Sequence, residues 1–281
     1  MHFLKKKAFT IVELLVVIVV IGIIAGVVIV SYSGISQRAT ISSLQTDLSN
    51  SSKLIEMQRV NSTDDLYPIS TSSLGLKGSS GNSYTYITSS NRDIYCLQTS
   101  SGGLTYSKNN KNYLGAGVCN VAPNPIDIFG WVQTANNATL SRDSSAGSPV
   151  GNNALKMTIN GADPYTNSWW DPPFNLAYAQ QGDTWTMSVY VKANQNMSVQ
   201  LYMFETTPSS GFINAYATNL NISTNWQRIS LTATFTSPST TRVRMRLDGP
   251  DAFVAGSIVW FDGLQLEKSS SASNLNSNYT L

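Results

Sequence analysis

Phe9 to Val30 is a run of 22 residues whose only charge is Glu13. As a helix rising 1.5 Å per residue it is about 33 Å long, enough to cross the hydrocarbon core of a bilayer. Lys5, Lys6 and Lys7 precede it and no comparable basic cluster follows, so the positive-inside rule leaves the N-terminus in the cytoplasm. A secretory signal peptide is the competing reading. Ser31-Tyr32-Ser33-Gly34 is a poor cleavage site for one, the run is too long, and a glutamate is out of place in it.

The helical pattern continues beyond the apolar run. Ile35, Ala39, Ile41, Leu44, Leu48, Ile55 and Met57 recur mostly three, four or seven apart, with polar residues between. This spacing predicts one helix over 9–60, about 78 Å long. Its first half (9–30) is apolar all round and needs lipid or other helices; its second half is amphipathic and needs a folded domain. Gly22, Gly26 and Gly34 each weaken it by about 1 kcal/mol against alanine, and also allow close approach of neighbouring helices.

The basic leader, Ala8-Phe9-Thr10-Ile11-Val12-Glu13-Leu14-Leu15 and the apolar run closing in Ser31-Tyr32 together resemble the N-terminus of type IV prepilins and pseudopilins. The resemblance covers about 50 of 281 residues. It implies that a prepilin peptidase cuts between Ala8 and Phe9, removing a leader of residues 1–8, and that the new Phe9 amine is N-methylated. Ala8 stands where the family usually has glycine, and is still small. The resemblance further implies a helical filament of identical subunits, built by pilus assembly machinery, in which Glu13 meets the Phe9 amine of an adjacent subunit. The chain would reside in the bacterial inner membrane before assembly and on the cell surface after it. Rival readings are a pseudopilin of a type II secretion or DNA-uptake system, and a membrane-anchored lectin that never polymerises and whose Glu13 merely snorkels.

Composition narrows the chemistry. Charged residues make up 12% of the chain and the formal charge is +2, which gives no case for nucleic-acid binding. Without Lys5–Lys7 the 18 basic residues become 15 against 16 acidic ones, a net charge of −1. The single histidine, His2, leaves with the leader, which excludes Ser-His-Asp and Cys-His centres and His-ligated metals from the mature chain. Cys96 and Cys119 are the only cysteines. In an exported chain an even pair is most simply one disulfide, with free thiols the alternative. Closing a loop of about 24 residues would contribute roughly 3 kcal/mol.

Residues 61–122 alternate with strand period at Ser83–Ile87, Asp93–Leu97 and Gly103–Tyr106, between turn-forming clusters. They predict a small antiparallel β head on the amphipathic half-helix. Val121-Ala122-Pro123-Asn124-Pro125 suppresses helix and strand alike, and 123–128 reads as a linker. Over 129–268 strand-like runs recur at Ala154–Ile159, Trp185–Lys192, Ser198–Phe204, Trp226–Phe235, Thr241–Leu247 and Ser257–Leu266, and 269–281 is a polar tail. The expected fold is therefore α+β: a long N-terminal helix with a small β head, then an all-β sandwich.

Within the second half, Asp183–Ala193 (DTWTMSVYVKA), Asn225–Ser230 (NWQRIS) and Ser257–Glu267 (SIVWFDGLQLE) resemble strands of the jelly-roll carbohydrate-binding modules. That resemblance implies a jelly roll and a glycan ligand. It also implies a structural calcium in many members, with Asp262 similar to one ligand and the others unassigned. Sugars are bound by aromatic faces flanked by amides and carboxylates. The densest such stretch is Tyr165, Trp169, Trp170 and Phe174 in what reads as a loop; a second group is Tyr202, Phe204, Phe212 and Tyr216. Trp185, Trp226 and Trp260 lie in strands and read as core. Arg242, Arg244 and Arg246 alternate on one strand, as a solvated outer face or, more sharply, a stripe for anionic glycan. Acidic residues are present (Asp163, Asp171, Asp183, Glu205, Asp248, Asp251), but none sits in a recognisable glycosidase motif, so a non-catalytic chain is expected.

Overall fold

The computed structural model describes residues 11–76, 78–79, 82–111, 113–120, 132–134, 138–150, 152–161, 169–171, 177–207, 211–248 and 254–274. The Ala8–Phe9 bond, the 123–128 linker, Tyr165 and Phe174 lie outside these residues. Of Trp169 and Trp170 only the backbone is described.

Helix α1 runs unbroken from Ile11 to Asn61. Its two halves have opposite surroundings, as their patterning requires. Every large apolar side chain from Ile11 to Ile29 is exposed, from 46% at Val20 to 85% at Ile11, whereas Leu44, Leu48 and Ile55 are fully buried. The buried stripe starts later than the periodicity suggests: Ile35 and Met57 stay exposed at 65% and 59%. Met57 sits two residues, about 200° of helical turn, from Ile55, so only one of them can face the same sheet.

That sheet is a meander of β1 (Ser83–Thr88), β2 (Tyr95–Ser101), β3 (Leu104–Asn109) and β4 (Leu114–Ala116), each antiparallel to the next. Gly102 and Gly103, both at positive φ, make the two-residue turn joining β2 to β3. Successive side chains on a strand face opposite ways, and both faces of β2 are covered. Tyr95 and Leu97 pack with Tyr67 against Leu48 and Ile55 of α1. Cys96 points the other way and forms a disulfide with Cys119. The Gln98 side-chain oxygen accepts from the Cys119 amide at 2.9 Å, so 119–120 is fastened across the second face.

The rest of the chain builds two facing antiparallel sheets. One has the order β13 (Gln227–Thr234), β10 (Thr184–Ala193), β15 (Ile258–Glu267), β7 (Ala154–Ile159), β6 (Ala138–Asp143). The other has the order β12 (Phe212–Ile222), β11 (Met197–Thr206), β14 (Arg242–Asp248), β8 (Trp169–Asp171), β5 (Val132–Thr134), with β9 (Ala177–Tyr178) on the end of β14. Trp185, Met187, Val189, Leu201, Met203, Val243, Met245 and Phe261 fill the space between them. β15 changes phase within its length: Val259 and Phe261 face the core, then Leu264 and Leu266 do. The odd-to-even switch falls at Gly263, in the left-handed region (φ 56°), opposite a register shift in β10 between Ser188 and Tyr190.

Head and sandwich are stitched together. The Asn120 side chain donates to Leu264 O (3.1 Å) and accepts from Leu266 N (2.9 Å), taking the place of a strand residue beside β15. Arg242 donates to Ser90 O at 3.4 Å, and Ser89 forms a single antiparallel bridge with Ala177. Ile87 and Cys96 of the head belong to the sandwich's own core cluster.

Candidate functional site

Two surfaces carry the chemistry the sequence points to. The first is the exposed half of α1. Glu13 lies in its first described turn and is itself exposed, among Ile11, Val12, Leu14 and Leu15, each at least 55% exposed. The large apolar side chains of this half are exposed among the described residues, and it is long and apolar enough to cross a membrane.

The chain carries a prokaryotic N-terminal methylation motif. The family model for that motif matches residues 4–29, which include Lys5–Lys7, the expected cut and Glu13. The motif marks a type IV pilin-like or pseudopilin subunit, and with the apolar helix it fits membrane anchoring.

The second surface is the outer face of β12, β11 and β14. Along β11, Leu201 and Met203 enter the core while Gln200, Tyr202 and Phe204 take the other side. Along β14, Met245 and Leu247 point inward and Arg244 and Arg246 outward. Register makes rows of these: Ala215, Phe204 and Arg244 in one, Ala217, Tyr202 and Arg246 in the next. The Tyr202 and Phe204 rings are parallel at 5.7 Å, and Phe204 meets Phe212 at 4.8 Å. The Arg244 guanidinium lies 5.2 Å from the Phe212 ring centre and that of Arg246 5.3 Å from Phe204. Phe204 is buried at the floor of this platform, Phe212 is 53% exposed, and alanines on β12 keep one side low. The Tyr202 hydroxyl donates to Gln200 Oε1 at 2.8 Å.

This corrects the expectation of a solvated arginine row. Arg242 is only 7% exposed, its guanidinium 3.4 Å from the centre of the Tyr178 ring, while Arg244 and Arg246 are half-buried on aromatic rings. Of the second aromatic group, Tyr202, Phe204 and Phe212 come together and Tyr216 does not. Tyr216 stacks on Phe235 at 5.9 Å and gives its hydroxyl proton to Glu205. Trp169 and Trp170 belong to a strand rather than a loop, paired with Asp248 and Leu247 of β14 and with Thr134 and Gln133 of β5.

Two of the three tryptophans expected in the core are also elsewhere. Trp185 is fully buried, but Trp226 and Trp260 are half-buried on the outer face of the five-stranded sheet. The Lys192 ammonium lies 5.0 Å from one ring and 5.1 Å from the other. Trp226 Nε1 donates to Ala146 O and Trp260 Nε1 to Asp143 Oδ2, which fastens the 143–150 loop over that face. Asp262 is part of the same fastening. It accepts from Ser148 Oγ, Val150 N and Gly263 N; burial pushes its carboxyl above the usual range and these hydrogen bonds oppose the shift. Calcium takes six to eight oxygen ligands. A carboxylate surrounded by N–H and O–H donors does not fit that role, and no group of three metal-ligating side chains forms among the described residues.

Glu205, fully buried, accepts from Tyr216 Oη, Asn214 Nδ2, Thr236 N, Ser237 N and Thr240 Oγ1. Asp183 is ion-paired with Lys268 at 2.7 Å and accepts from Gln180 N. Both acids are committed to holding loops.

No curated protein matches the chain. Among solved structures, it is similar to the enzymatically active domain of bacteriophage CBA120 tailspike protein 4 (9% identity, TM-score 0.43, 53% of this chain and 21% of that one). It is similar to the CBM22-1 xylan-binding domain of Paenibacillus barcinonensis Xyn10C (10%, TM-score 0.35, 51% and 88%). It is also similar to TmCBM61 in complex with β-1,4-galactotriose (10%, TM-score 0.36, 53% and 99%). The chain thus spans about a fifth of the tailspike domain. At such identities, what these proteins bind or cleave describes them alone.

Proposed function

We propose that the chain is a non-catalytic type IV pilin-like subunit that enters a surface filament through α1 and displays a glycan-binding sandwich for adhesion. The observation that carries the filament half is the division of α1: one half is buried on its own head, and the other is bare, apolar and headed by the methylation motif. A helix of that kind is satisfied by lipid before assembly and by other copies afterwards. Prepilin peptidase and the assembly machinery are the implied partners. The test is electron microscopy of sheared filaments labelled with antibody to residues 126–281. Label along the shaft identifies a bulk subunit and label at one end a tip subunit; unlabelled filaments overturn the proposal.

The glycan half is supported by the Tyr202–Phe204–Phe212 platform, which offers ring faces for sugar CH groups beside guanidinium and amide donors. Phe212→Ala is expected to cut binding on a glycan array at least tenfold, since a stacked aromatic contributes on the order of 1.5 kcal/mol. It should leave thermal stability within a degree or two, because this ring is mostly outside the core. Unchanged binding would move the site elsewhere.

A further inference from the structure

Beyond the platform, a second concave site lies where head and sandwich meet. β1 and the chain from Ala177 share the Ser89–Ala177 rung and form no further rung. In the gap beside that rung lies a cleft of about 530 Å³. One wall is the open edge of β1 with Tyr84, Thr85 and Tyr86; the other carries Tyr178, Gln180 and Asp183. We propose that this cleft binds a neutral oligosaccharide, independently of the platform.

The lining selects the ligand class. Among its described lining residues the one cation, Lys268, is paired at 2.7 Å with the one anion, Asp183, so these residues present no net charge to hold a phosphate or an acidic chain. The one branched aliphatic side chain among the described lining residues is Ile69, too little for a lipid tail. What remains among the described residues is the exposed parts of three tyrosine side chains, threonine and serine hydroxyls, an amide, and the open backbone edge of β1, a set that matches CH groups and hydroxyls. An extended peptide also pairs with a single exposed strand edge, but the tyrosine- and hydroxyl-rich lining favours a saccharide, and the peptide is one outcome of the test below.

The cleft is also preorganised. The Tyr86 hydroxyl donates to Pro68 O at 2.8 Å, Tyr178 is held under Arg242, and Asp183 is fixed by Lys268 and Gln180 N. Little ordering is left for a ligand to impose. Because the walls come from different parts of the chain, an occupant would bridge head and sandwich.

Hydrogen–deuterium exchange on the full chain in detergent, with cellotetraose, xylotetraose and β-1,4-galactotriose as probes, tests this. At least one probe should slow exchange on both walls, 83–88 and 177–183. Gln180→Trp, at an exposed position, should fill the cleft and abolish that protection, and Thr85→Val should weaken it about tenfold by removing one hydroxyl. Phe212→Ala should leave it unchanged, which separates this site from the platform. Protection confined to β11, β12 and β14, no protection by any of the three probes, or protection by a threonine–valine hexapeptide alone would each overturn the proposal.

Discussion

Glu13→Ala is expected to leave the chain in the membrane and remove it from filaments. The glutamate is a burden to a solitary membrane helix, costing about 2.5–3.5 kcal/mol near the centre of a bilayer and less towards the interface. Alanine therefore inserts at least as well. In the proposed filament, a helical bundle free of lipid and water, the comparison reverses, because the amine that the proposed cut leaves at Phe9 of a neighbouring copy would need an anion. Removing one member of a buried ion pair costs about 3–5 kcal/mol, a factor of 10² or more for each subunit added. Membrane fractionation and immunoblots of sheared surface material measure the two halves separately. Normal filaments from the alanine variant would show that Glu13 does not direct assembly.

The largest expected effect on folding stability is at Glu205. Burial alone would raise its pKa, but hydrogen bonds from Thr240, Tyr216, Thr236 N and Asn214 outweigh burial and hold it at about 2, against 4.5 in its ordinary setting. All five partners of the carboxylate are donors. Glu205→Gln turns one acceptor oxygen into a donor facing donors, which should cost about 3 kcal/mol and loosen the 235–241 turn. The pH dependence has a definite sign. A carboxylate whose pKa is depressed in the folded state stabilises above its unfolded pKa and loses that contribution as pH falls through the folded value. The native chain should therefore lose stability between pH 4.5 and about 2, and the glutamine variant should lose less over the same window. Urea midpoints at several pH values decide it; parallel curves for the two proteins would remove Glu205 from this role.

What was legible in the residues depended on period. Ala154–Ile159 and the long β10, β11 and β14 stand out because β-branched and apolar residues alternate against polar ones. β12, the strand that completes the platform, is weaker: Ala215, Ala217, Asn219 and Asn221 fill most of its outward positions, and the inward set of Tyr216, Leu220 and Ile222 is broken by Asn214 and Thr218. Trp260 lies in a strand yet faces outward, because β15 changes phase at Gly263 and the odd-numbered residues before that point enter the core. The arginine–aromatic contacts depend on cross-strand register between β11 and β14, which no single strand encodes. Asn120, one residue after a cysteine, gives no signal of its own; its role exists only once Leu264 and Leu266 arrive from more than 140 residues away.

The stitching of Asn120 has a mechanical consequence. A domain hung on a proline-containing tether would take up a pull by straightening the tether, and the filament would feel little until the slack was gone. Here the Asn120 pair on β15 and the Cys96–Cys119 bond lie in series on one path from sandwich to head, and the Arg242–Ser90 contact lies on a second. In the proposed filament, tension on the outer domain would reach α1 through these two paths rather than through the tether alone.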